Sequence, residues 1–258
     1  MKNRALILMY HIVADPRSSL EAKYCCLPQR FEAQMRHLAT TGIRVLSLAE
    51  IADALDGRAN WPGEGVAVTF DDGFAETFVN ALPVLTRYRI PATMFALSDR
   101  IGAHNDWMSA RGLPERRLMS VAQLKEMAAA GIDIGSHTRT HPRLPELDAK
   151  QKRDEICGSK ARLEDLLGHG VPNFAYPYGK FDDDARQAVM EAGYRSACSV
   201  RSGFNGPEID RFLLRRIEVF GSDTLWQFRQ KLKFGANVVS SFYPLRYYAR
   251  RIADRLGI

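Results

Sequence analysis

Val66-Ala67-Val68-Thr69-Phe70-Asp71-Asp72-Gly73 is an apolar, β-branched run that ends in two adjacent carboxylates and a glycine. An amphipathic pattern follows over 74–88, so the stretch reads as a strand, a tight turn and a helix, one βα unit. Neighbouring carboxylates repel each other and are costly to desolvate, so a strand end that carries two of them calls for a cation or an arginine. Gly73 permits a turn that aims both at one pocket. The plainer alternative is an aspartate capping the helix that starts at Phe74.

Outward from this unit the pattern repeats. Apolar runs at 5–13, 93–97, 132–136, 173–176, 196–200 and 216–220 alternate with helical patterns at 28–40, 48–56, 120–130, 148–167, 182–192 and 223–232. Ser120 is placed as an N-cap, and Gly131 sits where a helix C-terminus wants a left-handed residue. About seven such repeats predict an α/β protein, either a barrel or an open wound sheet, and in both the reactive groups gather at the carboxyl ends of strands. Four polar clusters fall there: His11, Asp71-Asp72, Ser136-His137 and Tyr176-Pro177-Tyr178-Gly179.

Composition bounds the partners. With 258 residues, 46% hydrophobic and 26% charged, the chain suits one large soluble domain. The net charge of +6 is concentrated: from Trp226 to Ile258 seven basic residues face one acid, and the rest sums to zero. No nucleic-acid surface is indicated. The segment 245–256 forms an amphipathic pattern with Leu245, Tyr248, Ile252 and Leu256 on one side and four arginines elsewhere. It has two readings, a solvated helix docked on the barrel or a peripheral helix on an anionic membrane surface. Cys25, Cys26, Cys157 and Cys198 show no C-x-x-C spacing, and an adjacent pair seldom closes on itself, so reduced thiols in a cytoplasmic enzyme are expected. The apolar run after Met1-Lys2-Asn3-Arg4 is short, holds His11 and lacks a cleavage site, so a buried first strand fits better than a signal peptide. No run is long enough for a membrane span.

Ser136-His137-Thr138-Arg139-Thr140-His141-Pro142 sets two histidines four apart in a loop bounded by Gly135 and Pro142. With Asp72 they make a two-histidine, one-carboxylate set. Three protein ligands leave positions open for water and substrate, which is the catalytic arrangement of a divalent metal. His37, His104 and His169 lie outside any motif, and Trp107, Trp61, Tyr178 and Phe181 are candidate sugar-stacking rings.

T-F-D-D-G, then S-H-T-x-x-H, then Y-P-Y-G is the motif order of the polysaccharide deacetylases, carbohydrate esterase family four, and the resemblance runs roughly from Ala5 to Gly221. The resemblance implies a distorted (β/α) barrel of about seven parallel strands over 1–221, with 222–258 left as a basic C-terminal helical extension. It implies metal-dependent hydrolysis of an N-acetyl group on a polysaccharide, oligosaccharide or lipid-linked glycan. Zinc is the first expectation for the metal, with cobalt, nickel or iron(II) as alternatives. By motif position Asp71 is the general base, Asp72, His137 and His141 are the metal ligands, and the Tyr178 N–H is an oxyanion donor. Tyr176, Pro177, Tyr178 and Trp107 are expected at the substrate.

Two departures from the family pattern stand out. The arginine that often precedes the third motif and holds the base is replaced by Ala175, and Arg215 or Arg216 would substitute, with Arg216 preferred because strand alternation sends one of them inward. The late L-x-x-H motif of the general acid is missing, but Leu8-Met9-Tyr10-His11 supplies one at the other end, as in the deacetylases of biofilm poly-N-acetylglucosamine. A closed barrel allows this because its first and last strands are neighbours. The competing readings are a non-catalytic carbohydrate-binding relative and a hydrolase of a small amide or imide. The expected setting is the cytoplasm, with the inner membrane face as its peripheral variant.

Overall fold

Side chains on successive residues of a strand point to opposite faces, and in this protein the two faces lead to two different cores. The computed structural model describes residues 3–240 and Tyr243. In chain order the elements are β1 (Ala5–Tyr10), β2 (Ile12–Val13), β3 (Cys25–Cys26), α1 (Pro28–Thr40), β4 (Arg44–Leu46), α2 (Leu48–Leu55), β5 (Gly65–Phe70), α3 (Ala75–Tyr88) and β6 (Ala92–Ala96). They continue with α4 (Val121–Ala129), β7 (Asp133–Ser136), α5 (Ala149–Leu167), β8 (Asn173–Ala175), α6 (Asp183–Glu191), β9 (Ser196–Cys198), β10 (Ile217–Glu218) and α7 (Leu225–Phe234).

Seven strands run in the order β10-β1-β5-β6-β7-β8-β9, and β4 pairs with the first half of β5. Every ladder in the sheet is parallel. Past β9, backbone bonds from Ala197 to Arg211 and between Ser199 and Leu214 join the sheet to the segment that leads into β10. The sheet thereby curls back on itself as a distorted barrel, and the expected fold class holds. α2, α4, α5 and α7 each begin with a reciprocal capping box, Ser120 with Gln123 among them.

The outward faces of the strands, including Leu6, Leu8, Tyr10, Val68, Phe70, Met94, Phe174 and Tyr176, pack under the helices in the larger core. The inward faces, including Ala5, Ile7, Ala67, Phe95, Ala175 and Cys198, fill the barrel interior. The interior is tight: a Cβ on Gly135 would sit 2.5 Å from the Phe95 ring. Small side chains at Ala67, Ala175 and Cys198 leave space for one long residue, and Arg216 takes it.

Two parts of the strand reading need revision. The run 5–13 is two strands, because the chain leaves the main sheet at His11 and β2 then pairs with β3. β3 and β4 have no counterpart in the sequence pattern, since each is two or three residues long and β4 is half exposed. The helix expected at 223–232 is α7, Leu225–Phe234, which packs Phe228 into the main core. The basic segment 245–256 lies outside the described residues. All four cysteines are free thiols. No described helix is long and apolar enough to cross a membrane.

Candidate active site

Alternation carries His11, Asp71, His137, Arg216 and Glu218 inward at the carboxyl ends of β1, β5 and β7 and along β10. On β1, Ala5 and Ile7 face the interior and Met9 and His11 follow them into a cavity of about 330 Å³. On β5, Ala67 faces inward and Thr69 and Asp71 follow. Asp72 would point outward by the same rule. Its backbone is left-handed, with φ 74°, and Gly73 follows at φ 78°, so the chain turns sharply and Asp72 also enters the cavity. His141 and Tyr178 are likewise left-handed, at φ 67° and 57°. Strained backbone of this kind costs of order 1 kcal/mol per residue and persists where surrounding contacts enforce it.

Asp71 is held by Arg216. The guanidinium donates from both terminal nitrogens to the two carboxylate oxygens, at 2.6 and 2.8 Å, and its Nε donates to the Ser199 carbonyl at 3.0 Å. Both side chains are buried. Burial alone would raise the Asp71 pKa, but the Arg216 charge holds it at about 2, so the carboxylate is ionised at any working pH. The carbonyl of Ala175, whose residue stands where the family's arginine would be, instead accepts the Nδ1 proton of His137 at 2.7 Å.

That bond leaves the His137 Nε2 lone pair facing Asp72 Oδ1 at 3.6 Å, while His141 Nε2 lies 3.3 Å from the same oxygen. Ligating atoms of Asp72, His137 and His141 all fall within 4.8 Å of one another, and all three residues are buried. Asp72 Oδ1 has no hydrogen-bond partner, nor has Nδ1 of His141. Burial, and then the adjacent Asp71 charge, push the Asp72 pKa well up. Burial lowers both imidazoles, His137 to about 4, and lowers His11 as well. Two neutral imidazole nitrogens turned on one orphaned carboxylate oxygen is a donor set that fits a divalent cation, which would return Asp72 to its anionic form.

The loop that brings His141 back is braced from α5. Glu155 accepts from the backbone N–H groups of Arg139 and Thr140 at 2.8 and 3.0 Å and from the Thr140 hydroxyl at 2.6 Å. The Tyr178 ring meets His141 edge-on, with centroids 4.4 Å apart.

Three of the residues expected at the substrate stand elsewhere. Tyr176 is fully buried between Phe174 and Phe181, because it shares the outward face of β8 with Phe174. Pro177 is buried and does not line the cavity. Trp107 stacks on the His141 ring at 5.1 Å, supporting a candidate ligand rather than facing the cavity. Tyr178 does line it. Lys23, Tyr24, Arg111, Arg143 and Glu218 line the cavity without having been anticipated. Alternation from Arg216 could have found Glu218; the others sit in loops with no pattern. A larger hollow of about 510 Å³ lies at the opposite, amino ends of β1 and β5, and brings no comparable set of groups together.

A polysaccharide deacetylase family model matches residues 58–197, which include Asp71, Asp72, His137, His141 and Tyr178. The chain belongs to the polysaccharide deacetylase family. Likeness to relatives extends over more of the chain than that match. The poly-β-1,6-N-acetyl-D-glucosamine N-deacetylase of Staphylococcus epidermidis is 30% identical over 238 residues, covering 84% of this chain and 80% of that protein. The structure of IcaB from Ammonifex degensii superposes with a TM-score of 0.76 at 26% identity, over 91% of this chain and 97% of that one. BC0361, a polysaccharide deacetylase from Bacillus cereus, gives 0.74 at 26% identity, over 89% and 69%.

Proposed function

We propose that this family member is a metal-dependent hydrolase that removes acetyl groups from the N-acetylated sugars of a glycan. The observation that carries the reading is the pairing of two unlike carboxylates: Asp72, orphaned between His137 and His141, and Asp71, held ionised by Arg216. Asp72, His137 and His141 would hold the metal. An aspartate with a pKa near 2 is a weak base, so the water it deprotonates must itself be made acidic. A divalent cation held by the three ligands would supply that acidity and polarise the acetyl carbonyl. Asp71 then takes the proton of the attacking water, with Arg216 fixing its orientation. The Tyr178 backbone donates to the developing oxyanion. His11, in the same cavity, passes a proton to the departing amine.

The test combines metal analysis with acetate release from N-acetylglucosamine oligomers. Stoichiometric metal and acetate release that is lost on chelation and restored by Zn²⁺ or Co²⁺ is the expected result. Metal-loaded protein that releases no acetate from any sugar would favour a small amide or imide substrate, and sugar binding with neither metal nor turnover would favour a non-catalytic module. His11→Ala is expected to lower turnover by about 10²-fold with metal content intact; unchanged turnover removes His11 from the mechanism.

A further inference from the structure

The mouth of the site is lined by cations that the deacetylation chemistry does not use. Lys23, Arg111 and Arg143 come from three separate connecting segments and are all exposed at the same cavity, where Glu218 is the only carboxylate besides Asp71 and Asp72 among the described residues. Each cation is tethered to an aromatic ring that itself touches a candidate catalytic imidazole. Arg111 donates to the Tyr24 hydroxyl at 3.0 Å, and Lys23 Nζ stands 4.4 Å from the centre of the Tyr24 ring, which packs edge-on against His11. The Arg143 guanidinium lies 5.1 Å from the Tyr178 ring centre, and that ring packs against His141.

Some exposed cations elsewhere have close carboxylate partners, such as Arg87 with Glu32 and Arg153 with Glu191, at 2.6 and 3.0 Å. Among the described residues, neither Lys23 nor Arg111 has a carboxylate within 4.0 Å, and Arg143 has only Glu146, at 3.8 Å between two exposed groups. Three cations converging on one mouth repel one another and raise the local potential, an arrangement that attracts a mobile anion. It also disfavours a polymer that gains an ammonium group at each deacetylated sugar, since every turnover would add a positive charge at a positive rim.

We infer that the substrate is an N-acetylated glycan bearing an oxyanion, a phosphate or a carboxylate, on or beside the acetylated sugar, and that Lys23, Arg111 and Arg143 bind it. The inference rests on the deacetylase reading and narrows its substrate class.

Two readouts on the full-length, metal-loaded protein test it separately from that reading. Binding is measured by calorimetry for three ligands of equal length: a neutral N-acetylglucosamine trimer, a trimer carrying a phosphomonoester, and one carrying a uronate. Acetate release is measured on the same three. At least one anionic ligand is expected to bind about tenfold tighter than the neutral one at 0.05 M salt, with the preference collapsing toward 1 M salt as the screening length shortens from about 14 Å to about 3 Å. Which anionic trimer gains separates phosphate from carboxylate. Lys23→Gln/Arg111→Gln/Arg143→Gln should remove that preference and its salt dependence, weakening the anionic ligand about tenfold more than the neutral one. Equal binding of all three ligands, or a preference that survives the triple substitution, overturns the inference. A preference in binding with no acetate released from any ligand leaves the anion site standing and removes the deacetylase reading instead.

Discussion

Asp71 and Asp72 are chain neighbours with the same side chain, and the protein gives them opposite electrostatic lives. Asp71 faces the barrel interior, where a buried arginine meets both its oxygens and holds its pKa at about 2. Asp72, swung across by a left-handed turn, faces two neutral imidazoles and has no bonded counter-charge, so burial and the Asp71 charge push its pKa well up. Sequence neighbours can thus be assigned different chemistry by what lies across from them. A carboxylate whose counter-ion is built into the protein is suited to stay charged and take a proton. A carboxylate whose counter-ion is missing is suited to bind one from outside.

The sharpest way to break this contrast is to neutralise the two residues separately. Asp72→Asn should abolish retention of metal through desalting and with it essentially all acetate release. Asp71→Asn should keep the metal and lower turnover by about 10²- to 10⁴-fold, the range for loss of a positioned base. If both variants lose metal alike, the division of labour is wrong.

Next in size is removal of the internal counter-ion. Arg216→Met leaves Asp71 buried and unpaired, which should destabilise metal-free protein by about 3–5 kcal/mol in urea unfolding. The pH dependence should also change sign. In the parent, the folded Asp71 pKa is depressed below the ordinary carboxylate value, so its stabilisation is present above about pH 4 and is lost as pH falls through about 2. Without Arg216, burial dominates and raises the folded value above the unfolded one. The contribution is then present at low pH and lost as pH rises, so the deficit of the variant should shrink between pH 7 and pH 4.5. A constant deficit would mean that Arg216 acts through packing alone.

The smallest expected effect concerns Glu155, which braces the His141 loop without touching the site. Glu155→Ala should weaken metal affinity about tenfold, as loss of an outer supporting partner commonly does, and leave turnover of metal-saturated enzyme nearly intact. A loss of turnover at saturating metal would show that the brace positions more than a ligand.

Most elements could be read from the chain to within one or two residues, and the ones that escaped are informative. β3 and β4 are too short to show a period, and Lys23, Tyr24 and Arg111 reach the cavity from loops whose course no periodicity encodes. The misplacement of Tyr176 came from motif reading alone. Alternation from Phe174 would have put it on the helix-covered face, where it is found.

Hydrophobic period and turn residues are local properties, so the βα repeats, the strand-end location of the polar clusters and the grouping of Asp72 with His137 and His141 were legible in the order of residues. The partner of Asp71 was not, because it depends on which of two adjacent arginines, some 145 positions away, falls inside once the sheet curls closed. The charge of the rim was equally hidden, since it arises from three loops that share no local pattern. Pairing across such distances is set by loop closure and by the volume left inside the barrel, and those quantities exist only once the chain has folded.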